Sequence, residues 1–172
     1  MDDNTVKSYY QILEETHLGF FLEPYHRSVR KRQINSPKFY FFDTGVQRAL
    51  QKTLNSLVVE NTYAFGKAFE HYVLMECVRL NMYHRLDYQF FFLNVSNGQE
   101  IDLIIERPGM PAALVEIKSS LTVDDRDTAT LSRLQKDFGM VECYCLSRDP
   151  SHMRIGSVSC LPWQDGLKKL GF

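Results

Sequence analysis

The sequence has no long hydrophobic run, which excludes an obvious membrane-spanning helix. No apolar stretch in its 172 residues reaches the length of about 18 that would cross a bilayer. The first ten residues, MDDNTVKSYY, are acidic and polar and do not predict a signal peptide. Hydrophobic residues make up 44% and aromatic residues 13% of the chain, enough for a packed core. We therefore expect one full domain plus a small additional segment.

The four cysteines include no C-x-x-C pair, which argues against a zinc ribbon; they are Cys77, Cys143, Cys145 and Cys160. A disulfide framework is also not expected in a chain of this length. Cys143 and Cys145 would face the same side of a strand, so a metal pair is possible there, but core packing is the favoured interpretation. The sequence predicts reduced, buried thiols in a cytoplasmic protein.

The chain has no strong charge of either sign, since its net charge is −1. Proteins that coat DNA are usually basic, so the overall charge does not support a nucleic-acid partner. One basic segment stands out between Tyr25 and Lys38, where no acid occurs; its cations are Arg27, Arg30, Lys31, Arg32 and Lys38. This segment is either a solvated loop or a wing that contacts DNA phosphates, and the sequence leaves both open.

The first sixty residues predict a few short elements with little core of their own. A helix capped by Asn4 or Thr5 is expected to end near Gly19. Two short strands follow, at 20–22 and 38–43, and then a helical turn at 46–50. The order suggests the second helix and wing of a winged helix. We therefore expect residues 1–60 to be a partial winged-helix-like segment and connector, with a further natural region upstream.

From Asn61 onward the pattern predicts an α/β domain. A long amphipathic helix at 64–82 precedes two strands joined through Asn97-Gly98, a strong hairpin signal. The remaining expected elements are a third strand, a helix, a fourth strand, a short final strand and a terminal helix. These elements are predicted at 89–95, 99–106, 113–118, 128–138, 141–147, 155–161 and 163–170. The expected architecture is a mixed sheet flanked by helices.

Acidic side chains interrupt the apolar strands of this domain. Strand alternation places Glu100, Asp102 and Ile104 on one face of their strand, with Ile101, Leu103 and Ile105 on the other. On the next strand, Glu116 and Lys118 share a face. Glu70 comes from the preceding helix.

Buried carboxylates are costly unless they are paired or bound to metal. Clustered oxygen ligands suit Mg²⁺ or Mn²⁺, which would activate water for attack on a phosphodiester. Simpler interpretations also exist: Asp102, Glu116 and Lys118 could form a structural ion-pair group, and Glu70 could lie on a solvent-exposed helix face. The aromatic run at 39–42 is expected in the core rather than as a surface for base stacking.

The ordered set Phe69-Glu70, Gln99-Glu100-Ile101-Asp102 and Val115-Glu116-Ile117-Lys118 resembles the PD-(D/E)XK nuclease superfamily. More closely, the chain resembles the C-terminal domain of unknown function that follows a AAA+ ATPase module and a winged helix in many prokaryotic proteins. Further stretches carry this resemblance: Leu22-x-Pro24-Tyr25-His26, Ser36-Pro37-Lys38-x-Tyr40-Phe41-x-Asp43-Thr44-Gly45, and Gly66-x-x-Phe69-Glu70. It covers nearly the whole chain.

The resemblance implies a restriction-endonuclease-like fold and a role for each residue. Asp102 and Glu116 would bind Mg²⁺ or Mn²⁺, Glu70 would complete the metal shell, Lys118 would serve the attacking water, and Glu100 would be accessory. Ile101 stands where the superfamily often has proline. No Walker A motif is present in these residues, so the implied ATPase module would lie upstream.

Two functions of different kinds remain open from the sequence. The first is a divalent-metal-dependent nuclease-like domain that acts on DNA. The second is a catalytically idle DNA-docking or protein-interaction module of the ATPase. A weaker third option is an assembly domain for the ATPase ring.

Overall fold

The computed structural model describes residues 2–26, 36–95 and 98–172. Most of the predicted basic segment, namely Arg27, Arg30, Lys31 and Arg32, lies outside these residues. Ser96 and Asn97 of the predicted hairpin turn also lie outside them. Within the described part of the chain, no helix is both long and apolar enough to span a membrane.

The described residues form five α-helices and eight β-strands, which we number in chain order. They are α1 (Asp3–Glu15), β1 (Gly19–Pro24), β2 (Lys38–Phe41), α2 (Thr44–Leu50), α3 (Tyr63–His84), β3 (Gln89–Asn94), β4 (Glu100–Glu106), β5 (Ala112–Lys118), α4 (Asp125–Leu134), β6 (Val141–Ser147), β7 (Met153–Ile155), β8 (Val158–Pro162) and α5 (Trp163–Leu170). A short 3₁₀ turn, Gln135–Asp137, extends α4.

All eight described strands lie in one sheet, in the order β2-β1-β3-β4-β5-β6-β8-β7. The pairs β1–β3, β5–β6 and β6–β8 are parallel, and the other neighbours are antiparallel. The predicted mixed α/β sheet flanked by helices is therefore confirmed. The β1–β2 hairpin extends this sheet; the division of the chain at residue 60 stays a prediction.

Two hydrophobic cores cover the two faces of the sheet. One packs α3 and α5 against the sheet, with Val73 and Leu74 meeting Leu103 and Val115. The other packs α4 against the opposite face, where Leu131 meets Ile104. The cysteines are free and buried, as predicted, and Cys143 and Cys145 share the α4 face.

The structure corrects the predicted bounds of the first helix. It begins at Asp3 after Asp2 rather than after Asn4 or Thr5, and it ends at Glu15. Gly19 is the first residue of β1 and not a helix cap. A side chain there would approach the carbonyl oxygen of Tyr40 to 2.5 Å, so the close approach of the hairpin strands explains the glycine.

Two further predictions change near the end of the chain. The helix expected at 128–138 begins earlier, at Asp125, because Asp124 and Asp127 form a reciprocal capping box. The strand expected at 155–161 is a hairpin of β7 and β8, which pair antiparallel. Gly156 turns the chain between them with φ 58°.

The side-chain alternation predicted for β4 is wrong at its start. Ile101 packs with Ile104 on the α4 face, not with Leu103 and Ile105 on the α3 face. The cause is a register shift: Leu93 pairs with Ile101 and Phe91 with Ile104, so three residue steps along β4 lie opposite two steps along β3. A β-bulge therefore places Asp102 outside the regular alternation.

Candidate active site: an acidic cleft between α3 and β5

Helix α3 brings Glu70 to the sheet. Its N-terminus is fixed by Thr62, whose hydroxyl accepts a hydrogen bond from the Phe65 amide. Glu70 is 8% exposed and accepts bonds from Lys67 Nζ at 2.6 Å and Tyr40 Oη at 3.2 Å. Glu70 is therefore a buried, fully engaged carboxylate and not part of a solvent-exposed helix face.

Asp102 lies where β4 and β5 separate. Their regular pairing ends at Leu103 and Val115, and the Asp102 carboxylate accepts the hydrogen bond of the Ile117 amide at 2.8 Å. Burial, followed by the charges of Glu116 and Glu70, raises the pKa of Asp102 well above its usual value. The bulge thus places the Asp102 carboxyl group where the charges of Glu116 and Glu70 act on it.

Glu116 and Lys118 lie on one face of β5, as predicted, and form an ion pair of 2.7 Å between Oε1 and Nζ. Burial raises the pKa of Glu116, although Lys118 opposes that shift. Burial alone would lower the pKa of Lys118, but Glu116 outweighs it and the pKa is raised. Glu116 Oε2 is buried and has no hydrogen-bond partner among the described residues.

Lys38 joins the hairpin to this acidic group. Its ammonium group donates to Glu100 Oε1, lies 4.0 Å from Glu70 Oε1, and stands 4.8 Å from the centre of the Phe92 ring. Burial and the Glu70 charge raise the pKa of the neighbouring Tyr40, which keeps its phenol protonated as a donor. Lys38 therefore belongs to the acidic site in the structure; its predicted contact with DNA stays a prediction.

The acidic cleft has a volume of about 230 Å³ and is bounded by α3 and the end of β5; its lining residues are Tyr63, Gly66, Lys67, Glu70, Asp102, Ile117, Lys118 and Ser119. Three predicted residues, Glu70, Asp102 and Lys118, line it directly. Glu116 pairs with the lining residue Lys118, whereas Glu100 pairs with Lys38, which lies 4.0 Å from the lining residue Glu70. The predicted residues are thus assembled at one place, whereas their catalytic roles stay predictions.

The donor chemistry of the cleft fits a hard divalent cation, although its side chains are paired with lysines. Asp102 and Glu116 offer carboxylate oxygens, and Glu116 Oε2 is a buried acceptor with no hydrogen-bond donor among the described residues. Across residues 2–26, 36–95 and 98–172, no three His, Cys, Asp or Glu side chains are grouped closely enough to hold a metal ion. Because Lys67 pairs with Glu70 and Lys118 with Glu116, a bound cation would have to displace both ammonium groups from these carboxylates.

The sequence reasoning missed two members of the site. Lys67 precedes Glu70 by three residues on a helix, a spacing that commonly forms ion pairs and could have indicated this contact. Tyr40 reaches Glu70 from a strand thirty residues earlier, and no local pattern predicts such a contact. Neither residue belongs to the predicted site set of Glu70, Glu100, Asp102, Glu116 and Lys118.

Comparison with known proteins gives a family but no described activity. Residues 65–165 match the domain of unknown function DUF4143, and residues 1–57 match the domain of unknown function DUF8612. The uncharacterized protein Rv2008c of Mycobacterium tuberculosis and the uncharacterized protein Mb2031c of Mycobacterium bovis are each 29% identical over 118 residues, which is 69% of this chain.

The aligned region is 26% of each mycobacterial protein, so the chain spans about a quarter of the relatives it matches. No solved structure matches the chain significantly. The DUF4143 match covers more than half of the sequence and contains every acidic residue of the cleft. The chain therefore belongs to the DUF4143 family.

Proposed function

We propose that the acidic cleft hydrolyses phosphodiester bonds in DNA with the help of a divalent cation, Mg²⁺ or Mn²⁺. One observation carries this proposal: Asp102, Glu116 and Glu70, from β4, β5 and α3, form one interacting group beside Lys118, in which burial raises the pKa of both Asp102 and Glu116 and the charge of Glu70 raises both further. Such a group costs stability without a counter-charge, and cation binding would offset that cost.

Each residue has a role in this proposal. Asp102 and Glu116 would hold the cation, and Glu70 would complete its shell. The cation would lower the pKa of bound water and stabilise charge on the phosphate. Lys118, 33% exposed at its side chain, would orient the attacking water or neutralise a phosphate oxygen. Glu100 would keep Lys38 at the edge of the site.

The arrangement of elements supports a restriction-endonuclease-like fold as part of this proposal. Helix α3 is followed by the antiparallel strands β3, β4 and β5, and then by α4 and the parallel strand β6. Acids lie on α3, β4 and β5. The sequence resemblance to PD-(D/E)XK nucleases implies this order of elements and this placement of acids.

A second candidate function is a catalytically idle docking module, and the lysines favour it. Lys67 neutralises Glu70 at 2.6 Å and Lys118 neutralises Glu116 at 2.7 Å. Such pairs stabilise a cleft without any metal. In this alternative the domain binds DNA or a protein and turns over nothing.

We further propose that the natural protein carries a AAA+ ATPase module ahead of this region. The support is the sequence resemblance and the length of the mycobacterial relatives, of which the aligned region is 26%. The domain would then deliver its activity, or its docking surface, to an ATP-driven machine.

The experiment that tests the nuclease is cleavage of plasmid and branched DNA with Mg²⁺ or Mn²⁺. Wild type is compared with Asp102→Ala and Lys118→Ala, and Glu76→Ala serves as a control on α3 outside the cleft. We expect cleavage by wild type and the control, with a loss of at least about a hundredfold in both site variants. Activity that survives both site substitutions would rule out this site.

The docking alternative makes a different forecast. It expects no cleavage of any substrate and no heat of Mg²⁺ or Mn²⁺ binding by calorimetry. It also expects Asp102→Ala to leave DNA or partner affinity unchanged. The same wild-type and variant proteins therefore distinguish the nuclease from the docking module.

A further inference from the structure

A second cavity adjoins the acidic cleft along α3. This α2–α3 groove has a volume of about 520 Å³, within the range of small-ligand sites. Its apolar surface is formed by Leu57, Val58, Ala64 and Ala68. Leu57 is 91% exposed, so the chain leaves a large apolar side chain at the groove mouth.

Tyr63 and Lys67 connect the two cavities. Both residues line the acidic cleft and the α2–α3 groove. They are four residues apart on α3, so they share one helix face. Tyr63 is 83% exposed, and the Lys67 side chain is 50% exposed. An aromatic ring and an ammonium group thus lie where the acidic cleft and the α2–α3 groove meet.

The charges that line the groove are positive. Its charged lining residues are Arg48 and Lys67, and no Asp or Glu of the described part of the chain lines it. Arg48 donates to the carbonyls of Thr53 and Leu54 at 3.0 and 3.1 Å, which fixes the groove wall before any ligand arrives. The groove therefore offers a preformed apolar surface with two cations, one of which, Lys67, also pairs with Glu70 of the neighbouring cleft at 2.6 Å.

We propose that the α2–α3 groove binds single-stranded DNA that leads into the acidic cleft. A base would stack on Tyr63 or enter the apolar groove, and its phosphate would meet Lys67. Unpaired strands present base faces to aromatic rings and phosphates to cations, whereas the bases of a duplex are already stacked on one another. This inference rests on the proposed nuclease function and gives its substrate class: DNA with an unpaired segment or end.

The test is equilibrium binding of labelled single-stranded DNA in EDTA, where cleavage cannot interfere. We expect Tyr63→Ala to weaken binding about tenfold, the scale of one base–aromatic stack. Tyr63→Phe should retain most of the affinity, because stacking needs only the ring. Tyr83→Ala is the matched control, since Tyr83 is 87% exposed at the opposite end of α3. It should bind like wild type.

A salt titration isolates the phosphate contact. Lys67→Ala should lower the slope of log affinity against log salt by about 0.7, the contribution of one single-strand phosphate, and Lys67→Arg should preserve it. The exposed Lys136 provides the control, and Lys136→Ala should leave the slope unchanged. Duplex DNA of the same sequence should bind more weakly than the single strand.

Several results would overturn the inference. Equal affinities of Tyr63→Ala and Tyr83→Ala would exclude stacking, and tighter binding of duplex DNA or of RNA would exclude the assigned substrate. Loss of self-association in Tyr63→Ala by light scattering, with unchanged DNA affinity, would assign the groove to a protein interface. Tyr63-dependent binding without any cleavage would leave the groove assignment intact and reject the nuclease alone.

Discussion

Tyr40 donates a hydrogen bond to Glu70 Oε1 at 3.2 Å, which connects β2 with α3 across thirty residues of sequence. Tyr40 lies within the part of the chain that matches DUF8612, and Glu70 within the part that matches DUF4143. The acidic cleft is therefore built by both matched regions. A buried donor holds the carboxylate that α3 contributes.

This bond gives the first prediction. Tyr40→Phe should lower the free energy of unfolding by about 1 kcal/mol, the net value of a buried hydrogen bond. Urea denaturation measures the change, with the exposed Tyr83→Phe as a control that should behave like wild type. A wild-type stability in Tyr40→Phe would show that the bond contributes nothing net.

Asp102→Asn should stabilise the protein at neutral pH while abolishing any metal-dependent cleavage. The folded pKa of Asp102 is raised above its usual value near 3.8, so the folded state holds its proton longer than the unfolded state. The stabilising contribution of the protonated form is complete below about pH 3.8 and is lost as pH rises through the raised pKa. At neutral pH the ionised carboxylate therefore destabilises the folded state, and asparagine removes this charge.

Thermal unfolding at several pH values measures this effect. The difference between Asp102→Asn and wild type should grow from about pH 4 upward in the absence of divalent cations. Asp124→Asn is a contrasting variant, because its carboxyl is exposed and its pKa is lowered by Arg126. A wild-type pH profile in Asp102→Asn would contradict the buried-charge explanation.

Added Mg²⁺ or Mn²⁺ should raise the melting temperature of wild type in a concentration-dependent way. A cation that binds only the folded state at a hundred times its dissociation constant stabilises by about 2.7 kcal/mol. Glu116→Gln should abolish the shift, because Glu116 Oε2 loses the charge that would attract the ion. The same shift in both proteins would place the binding site elsewhere.

Gly19→Ala should destabilise the β1–β2 hairpin by at least about 1–3 kcal/mol, the usual cost of overpacking. The added carbon would lie 2.5 Å from the Tyr40 carbonyl oxygen, and backbone atoms cannot rotate away. Gly139→Ala is the matched control, since nothing lies within 4 Å of the added carbon. Denaturant unfolding of the pair provides the comparison.

Arg107→Ala should destabilise the protein by about 3 kcal/mol, because it leaves the buried Leu170 carbonyl and the partly buried Pro111 carbonyl without a donor. The Arg107 side chain is fully buried and donates to the carbonyls of Pro111 and Leu170 at 2.6 and 3.3 Å. It thereby joins the β4–β5 turn to the end of α5. Arg126→Ala, at a side chain 92% exposed, should change stability by less than about 0.5 kcal/mol in the same assay.

Much of the fold is predictable from local sequence patterns. Helical apolar periodicity predicts α3 and α5, and short apolar runs bounded by turn residues predict β5 and β6, all close to their observed bounds. These elements have strong local signals, because buried faces repeat at the helix or strand period. The same local patterns reveal the candidate site acids, because each of them interrupts a pattern that would otherwise be apolar; they are Glu70, Glu100, Asp102 and Glu116.

The rest depends on contacts between distant segments. The bulge at Asp102 arises from pairing with β3, and the sequence of β4 alone predicts regular alternation. The β1–β3 pairing and the Tyr40 contact also join residues far apart in the chain. For Lys38 the sequence leaves a solvated loop and a DNA-contacting wing open, because only the fold reveals Glu100 beside it.

The parallel pairing of β1 with β3 limits how this protein can be divided. Residues Glu23 and Pro24 pair with Phe91 and Phe92, and the Tyr25 amide donates to the Phe92 carbonyl at 2.8 Å. A fragment cut between the two matched regions would leave the aromatic strand β3, QFFFLN, at an open sheet edge. Such edges pair with other chains, so the fragment would be prone to aggregate. The N-terminal hairpin thus covers the β3 edge of the sheet that the DUF4143-matched residues form.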